Sequence, residues 1–342
     1  MRSALALSLA LLVAIGFLAT AGARPDLRPI VLSARSGRVK SGDEKQLCYP
    51  RTFPRGQDTD IGRVQMKVRG GSHHVHLYRP HDSDVVYPPH DCPFAVDFSK
   101  WELVTATQNP LLDWKLPPGV AINFSPRQQL MIQTHFVNTG TLKTNGNARA
   151  KIILHPIDPA TVTARAGALF GQDRTVLVPP GIHTQASSCA LTGDPSLNHE
   201  MTVIAITGHY HFRGTIFKVW HTRVDGSRIE PPVYEHHGYA DPEFQQYAPG
   251  QLVLAPGDGL EWECTWENNT TETFKFGPNT QMNEHCNMFG FFYPSNTAQE
   301  AVDCIHMKVT GADGQPQEKN IRCGADGVEC PPNPPPAPAP AA

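Results

Sequence analysis

The sequence predicts an all-β protein made of sandwiches or barrels. Three observations predict it. Apolar residues gather in runs of roughly four to ten residues, many of them alternating with polar ones, which is the period of a half-buried strand. The runs are punctuated by 32 prolines and 28 glycines. No segment sustains the 3.6-residue period of an amphipathic helix, so the pattern is that of sandwiches or barrels.

At the N-terminus, Arg2 precedes an apolar stretch over 4–19, and Ala21, Gly22 and Ala23 form a small-x-small cleavage site. Residues 1–23 therefore read as a secretory signal peptide. No other stretch is long and apolar enough to span a bilayer. The mature protein is expected outside the cytosol, either extracellular or periplasmic. The first group of strands is expected at 62–68, 74–78, 130–137 and 150–154. A break at 156–167 follows, giving an N-terminal domain over 24–157 and a C-terminal domain over 158–310. The second group is expected at 175–178, 201–206, 215–224, 251–255, 260–266 and 289–293. Residues 311–342 form an extension whose Pro/Ala-rich tail, 331–342, reads as extended and solvated.

A net charge of −3 with no long basic run argues against a nucleic-acid partner. Eight cysteines, an even number in an exported chain, read as disulfides. There is no Cys-x-x-Cys, so neither a zinc ribbon nor a thioredoxin-type site is indicated. Sixteen histidines are many for 342 residues.

Those histidines fall into four places. His209 and His211 flank Tyr210 in an apolar run, and on a strand they share a face. His73 and His74 are adjacent, with His76 two residues on. Neighbours on a strand point to opposite faces, so His74 and His76 are an alternative pair. His135 follows Gln133 between apolar residues, and His285 precedes Cys286, Asn287, Met288 and Phe289. Each half thus offers three imidazoles. Three protein ligands with an open position make a catalytic site rather than a closed structural one. Imidazoles alone do not name the metal.

The ordered set resembles the copper type II, ascorbate-dependent monooxygenases, the family of peptidylglycine α-hydroxylating and dopamine β-monooxygenases. The resemblance runs from about Cys48 to about Cys304. It is carried by His73-His74, the segment from Trp114 to Val120 leading to Gln133 and His135, His209-Tyr210-His211, Gly257-Asp258, and His285-Cys286-Asn287. It implies two tandem antiparallel β-sandwich domains, jelly-roll-like, each holding one copper ion, that face each other across a solvent-filled cleft. It implies O₂ as co-substrate, ascorbate as reductant, and hydroxylation of a C–H bond in a small-molecule or peptide substrate. By position, His73, His74 and His135 would hold the electron-transfer copper, and His209, His211 and His285 the O₂-binding copper. Gln133 and Asn287 fall on family positions close to the chemistry. The disulfides implied are Cys48–Cys92, Cys189–Cys304 and Cys264–Cys286; Cys323 and Cys330 are paired only by elimination.

Two departures qualify the resemblance. Where the family has a methionine ligand, this chain has His285; Met282 and Met288 are the nearby thioethers. Where peptidylglycine enzymes grip a carboxylate with Arg, Asn and Tyr, this chain has Thr207, Asn287 and Phe289. Arg213 is expected on the copper face. A copper-binding protein without hydroxylase activity is the alternative reading. A zinc or copper hydrolase is a third, with Glu284 the nearest carboxylate but expected on the opposite face from His285.

Overall fold

The structure is a computed structural model that describes residues 25–69, 72–80, 90–91, 101–138, 146–190, 199–295, 301–310 and 315–323. The signal peptide, Cys92, Cys330 and the tail 331–342 lie outside the described residues. Among the described residues there is no α-helix; the one helical turn is the 3₁₀ segment Pro159–Thr161.

The first half forms two sheets. One runs in the order Ile30–Val39, Gly146–Pro156, Thr59–Val68, Val120–Phe124 and Ala164–Arg165, with Leu111–Lys115 also paired to Thr59–Val68. The other runs His90–Asp91, Glu44–Thr52, Gln129–Val137, Ser72–Pro80 and Trp101–Thr107. Alternating residues, such as Val64 and Met66 on one sheet and Val75, Leu77, Leu130 and Ile132 on the other, fill the space between them.

The chain changes sheets between Arg165 and Gly167. The second half has a large sheet in the order Gln245–Gln246, Met201–Tyr210, Cys286–Tyr293, Gly167–Asp173, Ala301–Thr310 and Pro316–Cys323. It packs on a sheet of Gly181–Ala190, Gly259–Asn268, Gly214–Thr222 and Arg228–His237. Phe217, Val219, Tyr234, Trp262, Met288 and Phe292 fill this second core. Two bonds staple it: Cys189 to Cys304, and Cys264 to Cys286.

Several expected strands are trimmed: 175–178 narrows to Leu177–Val178 and 251–255 to Val253–Leu254. The extension beyond 310 carries one strand that the sequence reading did not find. Pro316–Cys323 adds an edge strand antiparallel to Ala301–Thr310. Its run Gln317-Glu318-Lys319-Asn320 is exposed, so backbone pairing holds it and no apolar alternation announces it.

The two halves share an apolar interface. Every residue of Gly167–Asp173 and of Met201–Tyr210 is buried, because the large second-half sheet is covered on both faces. One core cluster runs from Leu103, Trp114 and Ile122 of the first half into Phe170, Ile204, Phe289, Phe291 and Ile305 of the second. Trp114 lies 4.7 Å from Phe291 and 5.5 Å from Phe244, ring to ring. This contact brings the two histidine sets together.

Candidate metal centre

His74 sits on Ser72–Pro80 directly across from His135 on Gln129–Val137, and their rings are 5.0 Å apart. The register slips between Ser72 and His74. Such a bulge re-aims a side chain. It lets the adjacent His73 and His74 converge, with rings 5.3 Å apart, where regular alternation would part them. On the other half, His209 lies near the end of Met201–Tyr210 and His211 follows it, with rings 5.5 Å apart. His285 leads into Cys286–Tyr293 and lies 4.2 Å from His211 and 5.4 Å from His209.

The resemblance implied two sets separated by a cleft. In the structure they are contiguous: His73 is 5.0 Å from His209 and 5.4 Å from His211, and His74 is 5.0 Å from His209. The apolar core shared by the two halves closes them against each other. Two triads have ligand atoms within 4.8 Å of one another: His73, His74 and His135; and His73, His209 and His211. His73 belongs to both. His285 lies at the edge of this cluster and outside either triad.

Burial sets the protonation of these rings. For His73, His74, His209, His211 and His285, desolvation first and neighbouring imidazoles second hold the pKa well below the usual range. Neutral imidazoles present lone pairs, which is the form a metal needs. Among the described residues, His73 Nε2, both nitrogens of His74, His211 Nε2 and His285 Nδ1 are buried without a hydrogen-bond partner. The donor set therefore fits a cation that prefers nitrogen ligands, copper among them.

Outer groups fix which nitrogen faces inward. His209 Nδ1–H donates to Gln108 Oε1 at 2.9 Å, and His211 Nδ1–H donates to the Asn283 carbonyl at 3.1 Å. Both leave Nε2 for a ligand. His135 Nε2 lies 3.3 Å from Glu44 Oε2, which leaves Nδ1 inward. The Gln108 amide also donates to His73 Nδ1 at 3.4 Å, so one side chain touches both sets. Sequence reasoning did not find Gln108 or Glu44.

His76 does share a face with His74 and stacks on it at 4.2 Å, but its role differs. Its Nδ1 accepts from the Tyr78 hydroxyl at 2.8 Å, and it is hydrogen-bonded to Gln133. Burial brings its pKa down to about 3. Gln133 and Asn287, both buried, line an internal void of about 20 Å³ with His74, His76, His135, His209 and His285. That is room for about one water-sized molecule. Phe289 closes it, 5.1 Å from His76 and stacked on Phe170.

Glu284 points away from the imidazoles, as expected. Its buried carboxylate accepts from the backbone of His211 and Arg213 and from Trp266 Nε1. Burial, opposed by the Arg213 bonds, pushes it up to about 7. Arg213 was expected on the copper face, and the structure corrects this. Its guanidinium stacks 3.2 Å over Phe274 and bonds to Glu284 and to the Gln281 carbonyl, because the buried carboxylate needs a counter-charge. Met288 is buried in the second core, whereas Met282 is exposed.

Beside the cluster opens a cavity of about 760 Å³, bordered by His73, Gln108, Phe212, Arg213, Tyr239 and Met282. Phe212 and Met282, apolar yet exposed, form part of its wall.

No curated protein matches the chain. Among solved structures it is similar, at 8% identity and a TM-score of 0.21, to a triple jelly-roll protein of the turret of an archaeal virus, covering 74% of this chain and 58% of that one. It is also similar, at 7% identity and a TM-score of 0.26, to VP54 of PBCV-1 fitted into a reconstruction of the virophage Sputnik, covering 79% and 94%. Those scores are too low to bear on the argument. Residues 168–311 match the sequence model of the copper type II ascorbate-dependent monooxygenase C-terminal domain. This span carries His209, His211 and His285, and over it the chain is similar to the copper type II ascorbate-dependent monooxygenase family.

Proposed function

We propose that this protein is an exported dicopper monooxygenase that hydroxylates a C–H bond of an organic substrate, using O₂ and an ascorbate-like reductant. The observation that carries the reading is the cluster of buried, neutral imidazoles with unpartnered nitrogens beside an open cavity. His73, His74 and His135 would hold one ion; His209, His211 and His285 would hold the other. Copper supplies the one-electron and O₂ chemistry that amino-acid side chains lack. The protein supplies the rest. Gln108, Asn283 and Glu44 hold three of the rings in one tautomer. Gln133 and Asn287 present amides to the internal void, and Phe289, stacked on Phe170, forms part of its wall. The larger cavity admits a substrate past Phe212, Tyr239 and Met282. Export rests on residues 1–23 acting as a signal peptide, with the two disulfides consistent with an oxidising compartment.

A second reading, a copper-handling protein that does not hydroxylate, is favoured by His285 at the third ligand position of its set. An imidazole is harder than a thioether and holds Cu(II) better than Cu(I). The test is copper stoichiometry together with O₂ uptake under ascorbate and a mixed substrate panel. Two equivalents with substrate-dependent uptake is the expected result. Two equivalents without uptake moves the protein to the second reading, and one equivalent or zinc overturns the two-site assignment.

A further inference from the structure

Glu44 begins the strand Glu44–Thr52, and its neighbour Gln46 lies directly opposite His135. Side chains two apart share a face, so Glu44 is a diagonal neighbour of His135. Its half-buried carboxylate meets four donors. His135 Nε2 is one, at 3.3 Å. The other three belong to the second half of the molecule: Asn279 Nδ2, the Thr280 backbone N–H at 3.2 Å and the Thr280 hydroxyl at 2.9 Å.

Those three donors belong to a tight turn. Asn279 Oδ1 accepts from the backbone of Gln281 and Met282, and the Asn279 carbonyl accepts from Asn283 N at 2.9 Å. The Asn283 carbonyl in turn fixes the His211 ring, and His285 follows two residues later. One carboxylate therefore reaches the third imidazole of the first set directly, and His211 and His285 of the second set through four residues of turn.

We propose that Glu44 is a positioning residue that couples the two ligand sets across the interface between the halves. The inference rests on the two-set reading above. Only a carboxylate suits the position: it accepts at both oxygens, whereas an amide would turn an NH₂ group toward at least one of four donors. A carboxylate behind a ligand histidine also orients the ring and raises its basicity.

The test compares Glu44→Gln, which keeps the shape, with the wild-type full-length, disulfide-bonded protein. In the metal-free protein, imidazole ¹⁵N NMR should show His135 held as the Nε2–H tautomer in wild type and as a mixture in the variant. Copper affinity is then measured by competition in two backgrounds, one lacking the second set (His209→Ala with His211→Ala) and one lacking the first (His73→Ala with His74→Ala). Glu44→Gln should weaken copper binding about 10- to 100-fold in the first background and shift it in the same direction in the second. Loss confined to the His135 set overturns the coupling, and unchanged affinity with an unchanged tautomer overturns the role altogether. If wild type takes up no copper, the two-set reading fails, and the NMR result still decides whether Glu44 orients His135.

Discussion

Replacing His76 with phenylalanine should make the metal-free protein less sensitive to acid. Burial holds the His76 imidazole at about 3, against 6.5 for a free histidine. The unfolded chain therefore binds a proton that the folded protein refuses throughout this window. Stability from His76 is fully present above about pH 6.5 and is lost as pH falls toward about 3. Each pH unit within the window costs about 1.4 kcal/mol, so two units, from pH 6.5 to 4.5, cost about 2.7 kcal/mol from this one ring. A phenylalanine ring fits between His74 and Phe289, the neighbours that stack on the imidazole now. It cannot accept from the Tyr78 hydroxyl or bond Gln133, so the variant starts less stable at pH 8 by about 1–3 kcal/mol for each group left unpaired. That deficit does not depend on pH, whereas the wild-type loss does. Urea unfolding at pH 8, 6.5, 5.5 and 4.5 separates them: the gap between the two proteins should narrow steadily below pH 6.5. A gap that stays constant from pH 6.5 to 4.5 would refute the reasoning, because His76 would then be charged or solvated in the folded state.

Glu284 should act in the opposite direction. Its carboxyl is pushed from 4.5 up to about 7, so its contribution is present below about pH 4.5 and lost as pH rises through 7, by about 3 kcal/mol in all. Glu284→Gln should therefore gain that amount relative to wild type between pH 5 and pH 8 in chemical denaturation of the metal-free protein; parallel curves would contradict the buried-carboxylate account. His285→Met should raise the retention of Cu(I) during dialysis under reductant, since a thioether is the softer ligand. Unchanged retention would show that His285 is not a ligand.

The sequence discloses the β class because solvated strand faces alternate, as in the run from Glu261 to Trp266. It also discloses the imidazoles, because residue type alone marks them as donors. Less legible is whatever depends on a partner strand. Whether the adjacent His73 and His74 converge or diverge is decided by the register slip against Phe136 and His135, which no local pattern encodes. The edge strand Pro316–Cys323 is held by backbone pairing to Ala301–Thr310, so its polar side chains conceal it. Gln108 is 101 residues from His209, and Glu44 is 236 residues from Thr280. Such contacts exist only after the halves dock. The separation of the two sets was inferred from resemblance. The structure differs because Phe170, Phe289 and Phe291, on the face of the large second-half sheet turned away from its own core, pack against Trp114 and the core of the first half and exclude water there.

The same burial that drives protons off these histidines leaves their nitrogens without partners. Five such nitrogens, on His73, His74, His211 and His285, sit buried in one cluster. Each costs about 1–3 kcal/mol when left unmade, a large share of the 5–15 kcal/mol by which a domain is stable. A packing role would not explain that cost, since leucine or phenylalanine would fill the same space without it. Metal coordination would, because it satisfies the lone pairs that hydrogen bonds do not reach. His76 marks the contrast within the same cluster. It is as deeply buried as its neighbours, but Tyr78 and Gln133 engage it, so it carries no such cost and belongs to the wall of the site rather than to its ligands.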